Sequence, residues 1–272
     1  MKLGVLISLS NDDMDKKFKG VRELGFDYCQ LLCPNPDFMT DENMERVIRA
    51  AERYGVKIST YWCGWSGRQV WDFYEGPTTI GIVPRSTREV RVGELKRGSD
   101  FAKRLGVDKM ATHLGFIPEC PTDPEFMPIV ETVRDIANHC KKNGQSFIFE
   151  TGQETPITLR RLIEEVGTDN LGVNFDTANL ILYGKANTVD AVDILGKYIK
   201  DMHAKDGFYP TNPRELGLET RLGDGAVSFP ALIAKLKSVG YDGHITIERE
   251  ISGEKQIEDI KYAKAYLEGL IC

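Results

Sequence analysis

Glu150, Asp176, His203 and Glu248 each follow a short apolar run: Ser146 to Phe149, Leu171 to Phe175, Tyr198 to Met202 and His244 to Ile247. Turn-forming or polar residues come after each of them. A run of β-branched and aromatic residues that closes on a metal-binding side chain is the pattern of a buried parallel strand presenting a ligand at its carboxyl end. In a closed parallel α/β barrel, all such ends open on one face. Three carboxylates and one imidazole meeting there form an oxygen-rich, single-nitrogen set suited to a divalent cation. Glu150 follows three apolar positions, where an unpaired charge is costly, so it needs a cation or a hydrogen-bond partner. Asp176 also suits a cap on the next turn, because Asp accepts readily from nearby backbone amides. Cap and ligand can coexist. His113, in Thr112-His113-Leu114-Gly115, closes a further run and is expected to face the same cavity as a substrate contact.

Elements that could place these residues recur along the chain. Leu24-Gly25-Phe26, Tyr54-Gly55-Val56, Leu105-Gly106-Val107, Asn143-Gly144-Gln145 and Val239-Gly240-Tyr241 share one form, a glycine suited to the left-handed position that ends a helix. Glu42 to Tyr54, Arg88 to Leu105 and Phe229 to Val239 place apolar residues three and four apart with charges between, as surface helices do. Strand-like runs follow or precede them at Lys2 to Ser8, Phe26 to Leu32, Val56 to Tyr61 and Val107 to Thr112. Repeated βα units of roughly 30 residues result, the size expected of βαβ architecture. Eight such units and 272 residues match the roughly 250 of one eight-stranded barrel. The expected class is therefore α/β, a (β/α)8 barrel in a single domain over residues 1–272.

Two connections exceed what a minimal barrel needs, and both follow a strand, on the catalytic side. Trp62 to Ser86 holds Trp62, Trp65, Trp71, Phe73 and Tyr74; Gly207 to Gly225 is rich in Pro, Gly and Arg. Either suits a lid. The aromatic cluster, Trp62 included, reads equally as substrate cover or as a satellite core beneath a long loop.

Composition excludes several classes. A net charge of −6 argues against a polyanion-binding surface, so nucleic acid is not an expected partner. The apolar run after Met1 is too short for a membrane span and lacks a cleavage pattern, so no membrane partner is expected either. Six cysteines without a C-x-x-C pair read as reduced thiols in a cytoplasmic protein.

The order Glu150, Asp176, His203, Glu248, together with Thr112-His113-Leu114-Gly115, His203-Ala204-Lys205-Asp206, Leu222-Gly223-Asp224-Gly225 and the closing Gly240-Tyr241-Asp242-Gly243-His244-Ile245-Thr246-Ile247-Glu248, resembles the xylose-isomerase-like TIM barrels. These include ketose 3-epimerases and inosose isomerases. The resemblance covers essentially the whole chain. It implies one divalent ion held by those four residues, manganese first, with magnesium, cobalt or zinc as alternatives. It also implies a small sugar or sugar derivative as substrate, and a homo-oligomer, dimer or tetramer. Ionising a carbon acid beside a ketone at neutral pH requires stabilisation of the enediolate, which a Lewis acid supplies. Glu150 and Glu248 resemble the proton-transferring pair of the epimerases.

The chain departs from the ketose 3-epimerases at Asn179, where they carry histidine, and at Tyr209, where they carry arginine. Asn179 can still bond a hydroxyl, and Lys205, Arg214 or Arg221 could meet a carboxylate or phosphate. The expected site is therefore Glu150, Asp176, His203 and Glu248 as ligands, Glu150 and Glu248 as acid and base, and Trp62, His113, Asn179, Lys205 and Arg221 as substrate contacts. The expected activity is sugar isomerisation or epimerisation. A metal-dependent lyase or dehydratase acting on a keto-sugar, keto-inositol or oxidised glycoside is the alternative, and a non-catalytic sugar-binding barrel a second one. Gly223-Asp224-Gly225 reads as a tight turn, not a phosphate cradle.

Overall fold

The structure, a computed structural model, describes residues 1–271; the sixth cysteine, Cys272, lies outside them. Among the described residues, eight parallel strands close into a barrel. These are β1 (Lys2–Ser8), β2 (Tyr28–Cys33), β3 (Lys57–Cys63), β4 (Lys109–Thr112), β5 (Ser146–Glu150), β6 (Leu171–Asp176), β7 (Ile199–Ala204) and β10 (His244–Ile247). They pair in chain order, and β10 closes the ring onto β1. The intervening pair β8 (Asp206–Gly207) and β9 (Glu219–Thr220) is a short antiparallel ribbon in the second long connection.

The outer layer is formed by α1 (Met14–Glu23), α2 (Asp41–Tyr54), α4 (Arg85–Arg104), α5 (Phe126–Lys142), α6 (Pro156–Val166), α8 (Thr188–Leu195), α9 (Phe229–Ser238) and α10 (Glu254–Ile271), while α3 (Gly76–Thr79) and α7 (Asn179–Leu182) are single turns in the loops of the upper face. Helix α2 shows the local logic. Thr40 caps it by accepting from the Asn43 amide, Met44, Val47 and Ala50 are buried along one face, and Gly55 ends it at φ 63°. The other four junction glycines, Gly25, Gly106, Gly144 and Gly240, also lie at positive φ. The main core fills the space between strands and helices, so most strand residues are buried on both faces. Cys29 and Cys33 belong to it; burial pushes the Cys33 thiol up to about 11.

The first long connection is held from below by an unexpected cation. Arg91 of α4 is 1% exposed and donates to the carbonyls of Thr79, Gly81, Ser66 and Arg68 at 2.6 to 3.3 Å. Its guanidinium lies 5.4 Å from the Trp65 ring. Trp62, Trp65, Ile80, Ala111 and Ile148 form a second, smaller core there, while Trp71 is 41% exposed. The aromatic segment is thus a satellite core and an overhang at once. Arg214 of the second connection sits 5.6 Å over the Tyr74 ring, so the two long segments touch.

Candidate metal centre

Glu150, Asp176, His203 and Glu248 stand on β5, β6, β7 and immediately after β10, four strands adjacent in the barrel. Asp176 and His203 are register partners. The sequence pattern places their side chains at one level, and one ligand atom from each of the four lies within 4.8 Å of all the others. His203 Nδ1 is the centre of this group, 3.0 Å from Glu248 Oε2, 3.3 Å from Glu150 Oε1 and 3.6 Å from Asp176 Oδ2.

The strand ends are locked by threonines. Thr151 Oγ1 accepts from the Asp176 amide and donates to the Asp176 carbonyl, both at 2.9 Å. Thr177 does the same for Lys205, one strand further round the barrel. Each of these threonines directly follows a ligand residue, so the hydrogen-bond ladder continues past the point where the strand stops.

Below the cluster, His203 Nε2 contacts Gln30 Oε1 at 2.8 Å and Asn174 Nδ2 at 3.2 Å. Gln30 Nε2 also donates to Asn174 Oδ1 at 3.0 Å. The Gln30 oxygen can only accept, so this shorter contact favours a proton on Nε2 and leaves Nδ1 as the atom turned toward the three carboxylates. This is the arrangement that orients a metal-ligating histidine. Both strands carry a register irregularity at these amides, between Cys29 and Gln30 and between Val173 and Asn174. Such bulges re-aim side chains.

The fit to a cation is tested by what remains unpaired. Asp176 Oδ2, His203 Nδ1 and Glu248 Oε2 are buried without a hydrogen-bond partner. Asp176 Oδ1 meanwhile accepts from the Asn179 amide at 2.6 Å, so one oxygen caps α7 and the other is free. Buried polar atoms are rarely left unmatched. A cluster of three carboxylates and one oriented imidazole with three free atoms pointing together fits a hard or borderline divalent cation.

Electrostatics agree. Burial opposes ionisation of Glu150, but His113 and His203 outweigh it and hold the carboxyl well below its usual range. At Glu248 burial is likewise outweighed, by Lys205 and His203, giving about 2. At Asp176 burial dominates and pushes the carboxyl up to about 7. Burial lowers His203, yet Glu248 and Glu150 raise it further, well above its ordinary value. Protons thus occupy sites where a cation would otherwise balance the negative charge.

A cavity of about 370 Å³ opens over the cluster, and Trp62, His113, Asn179 and Lys205 line it. Trp62 Nε1 donates to Glu150 Oε2, Asn179 Nδ2 to Glu150 Oε1 at 3.2 Å, and His113 Nε2 lies 3.3 Å from the same oxygen. Lys205, 2% exposed, reaches Glu250 at 2.6 Å, Asn179 Oδ1 at 3.4 Å and Glu248 at 3.6 Å.

Arg221, expected as a substrate contact, is not brought together with the others. It does not line the cavity; it pairs with Asp224 at 2.9 and 3.2 Å and lies 4.0 Å over the Tyr262 ring. The cause is Asp206, which accepts from the amides of Gly207, Gly223, Gly225 and Val227 at 2.8 to 3.0 Å. That carboxylate closes the turn on itself, turns Arg221 toward Asp224, and leaves those amides unavailable to an anion. Gln30, Asn174, Thr151 and Thr177 were not anticipated. An amide in the middle of an apolar strand run was the available signal for the first two.

A family model described as xylose isomerase-like TIM barrel matches residues 18–268. The chain belongs to this family. Within it, the fold superimposes on a xylose isomerase domain protein from Planctomyces limnophilus with TM-score 0.92 and 32% identity, over 99% of this chain and 96% of that one. A D-tagatose 3-epimerase-like protein shares the fold at TM-score 0.77 and 21% identity, covering 99% and 98% of the two chains. An inosose dehydratase of Lacticaseibacillus casei is 26% identical over 168 residues, 54% of this chain and 55% of that protein. Proteins similar to this chain thus carry both epimerase and dehydratase names.

Proposed function

We propose that this protein is a divalent-metal-dependent isomerase or epimerase of a small keto-sugar or cyclitol ketone. One observation carries the reading: four ligand atoms on adjacent strand ends converge within 4.8 Å, three of them buried and unpartnered, and the outer two of the four strands bear the glutamates. Glu150, Asp176, His203 and Glu248 would hold the ion, with manganese the expected metal. When bound, such an ion supplies Lewis acidity that stabilises charge developing on a substrate carbonyl oxygen.

The remaining work falls to the protein. Glu150 and Glu248 approach His203 Nδ1 from strands on either side of Asp176 and His203, which suits them to take and return a proton on opposite sides of a substrate carbon. Trp62, His113 and Asn179 aim the Glu150 carboxylate through its two oxygens. Lys205 stands beside Glu248 and favours its ionised form.

Glu150→Gln and Glu248→Gln variants that retain the metal are expected to lose activity by about 10²- to 10⁴-fold. Full activity in both variants would remove the acid/base assignment. The similarity to inosose dehydratase supports a second reading, elimination of water or an aglycone after the same proton abstraction. Product analysis in deuterated water separates the two: a mass-neutral rearrangement with deuterium at one carbon means isomerisation, and loss of a leaving group means a lyase. Tight binding without turnover across keto-sugars would instead identify a binding module.

A further inference from the structure

We propose that His244 makes the closing seam of the barrel acid-sensitive: protonation of its ring loosens the amino-terminal ends of β1 and β10 from each other. The seam lies at the end of the barrel away from the metal centre, so the device holds whichever reaction that centre performs.

Closure of the ring of strands rests on few contacts. β10 has four residues, and all four pair with β1, from Lys2 with His244 to Val5 with Ile247. The Lys2 amide donates to the Gly243 carbonyl at 3.0 Å, and the Tyr241 hydroxyl to the His244 carbonyl at 2.5 Å. The His244 ring reaches across β1 to Tyr28 of β2, with ring centroids 4.6 Å apart. Both of its nitrogens are buried, and among the described residues neither finds a hydrogen-bond partner. A neutral imidazole tolerates this at modest cost. An imidazolium in the same place adds a charge to two unpartnered donors, which is far costlier.

The charged groups facing the ring offer a proton no partner. From β7, Asp201 gives Oδ2 to Thr60 and Lys109 at 2.7 and 3.1 Å and Oδ1 to the Met202 amide at 2.9 Å. Its neighbour Lys200 runs along Gly172 of β6. From β4 comes the Lys109 ammonium itself, and from β1 comes Lys2, 5.3 Å over the Tyr28 ring. Asp108 and Asp242, which precede β4 and β10, are exposed, and burial keeps the Tyr241 hydroxyl neutral. Burial, with Lys109 and Lys2, outweighs Asp201 and Asp108 and holds the imidazole below its ordinary value.

The direction of the effect follows from linkage. With the seam open, water reaches the ring and it titrates near about 6.5; with the seam closed it titrates lower. Above the ordinary value the ring is neutral in both states and has no effect on closure. As pH falls through it, the open state takes up the proton first, and the closed seam loses stability.

Hydrogen exchange read by mass spectrometry on the full chain tests this, in manganese-loaded and metal-free forms, at about pH 7.5 and about pH 5.5 with intrinsic exchange corrected for. Peptides covering β1 and β10 are expected to open about fivefold more at the lower pH, since one proton limits the change to about tenfold per pH unit. Peptides covering α6, across the barrel, should stay protected. His244→Phe, which keeps a ring against Tyr28, and His244→Gln should each hold the change below about twofold. Titration of the His244 ring by NMR in the metal-free, unsubstituted protein should give a midpoint below about 6.5. The inference is overturned by a seam that acid does not open, by equal opening in both variants, or by a His244 midpoint at or above that value. Opening confined to the manganese-loaded form would trace the sensitivity to the metal centre and overturn it as well.

Discussion

Two buried clusters of charge lie inside the same barrel, both containing a residue of β7, and they differ in what they leave unpaired. In the lower one, Asp201 accepts from Thr60 Oγ1 at 2.7 Å, from Lys109 Nζ at 3.1 Å and from the Met202 amide at 2.9 Å. Thr60 is on β3, which is not adjacent to β7, so the bond crosses the interior. Two residues along, the cluster around His203 gathers three carboxylates and leaves three ligand atoms unmatched. Asp201, Lys109 and Thr60 are matched to one another and act as structure, although the nearby His244 ring nitrogens are buried without a partner. The upper one is held in place yet chemically incomplete, and that incompleteness, more than charge or burial, marks it as the candidate site.

Opposite responses to the same kind of substitution would make the distinction sharpest. Asp176→Asn keeps an oxygen to accept from the Asn179 amide and removes one of three crowded carboxylates. It is expected to abolish tight metal binding while leaving the metal-free protein equally or more thermostable. Asp201→Ala strands the partly buried Lys109 and the Thr60 hydroxyl, and should lower stability by about 3 kcal/mol with metal binding retained. Calorimetric metal titration alongside thermal unfolding reads both. If Asp176→Asn destabilised the metal-free fold as much as Asp201→Ala does, the upper cluster would be structural too.

Next in size is the amide layer between the clusters. Gln30→Leu removes the acceptor that fixes the His203 tautomer, and metal affinity is expected to fall about 10- to 100-fold, with secondary structure unchanged by circular dichroism. Unaltered affinity would mean that the Gln30 oxygen does not set the tautomer. The pH response is smaller and gradual. Asp176 is raised to about 7 by burial and His203 is raised by Glu248 and Glu150, so in the metal-free protein both hold protons that an ion must displace. Affinity should therefore weaken as pH falls through about 7, with proton release visible as a dependence of binding enthalpy on the buffer's ionisation heat.

The same two regions explain what was legible in the sequence. Barrel strands buried on both faces read as apolar runs, and the helix-ending glycines between them took positive φ at all five junctions. Ligand-type residues closing those runs were visible because a charge at the end of an apolar segment is conspicuous. Gln30 and Asn174 were not, since a single amide within a strand acquires meaning only once a cross-barrel partner and a bulge place it under His203. Arg91 was hidden for a related reason. It lies in a helix rich in charged residues, and only the returning loop, whose carbonyls it collects, buries it. The two-residue strands β8 and β9 carry too little pattern to be read at all.

Arg221 gives the smallest expected effect. From sequence it was a candidate anion contact in the second long connection, whereas in the fold it is more than one third exposed, paired three residues away with Asp224 and stacked on Tyr262. Exposed pairs of this kind contribute little, so Arg221→Ala should change stability by less than about 0.5 kcal/mol and leave substrate affinity and turnover as they are. Lys205→Ala, by contrast, removes the ammonium that lies 3.6 Å from Glu248 and should impair catalysis at constant fold. Parallel kinetics on the two variants checks this. A rise in KM for Arg221→Ala comparable to that of Lys205→Ala would mean that the second long connection folds inward over bound substrate and breaks the Asp224 pair, which would move the boundary between structural and functional charge to the rim of the barrel.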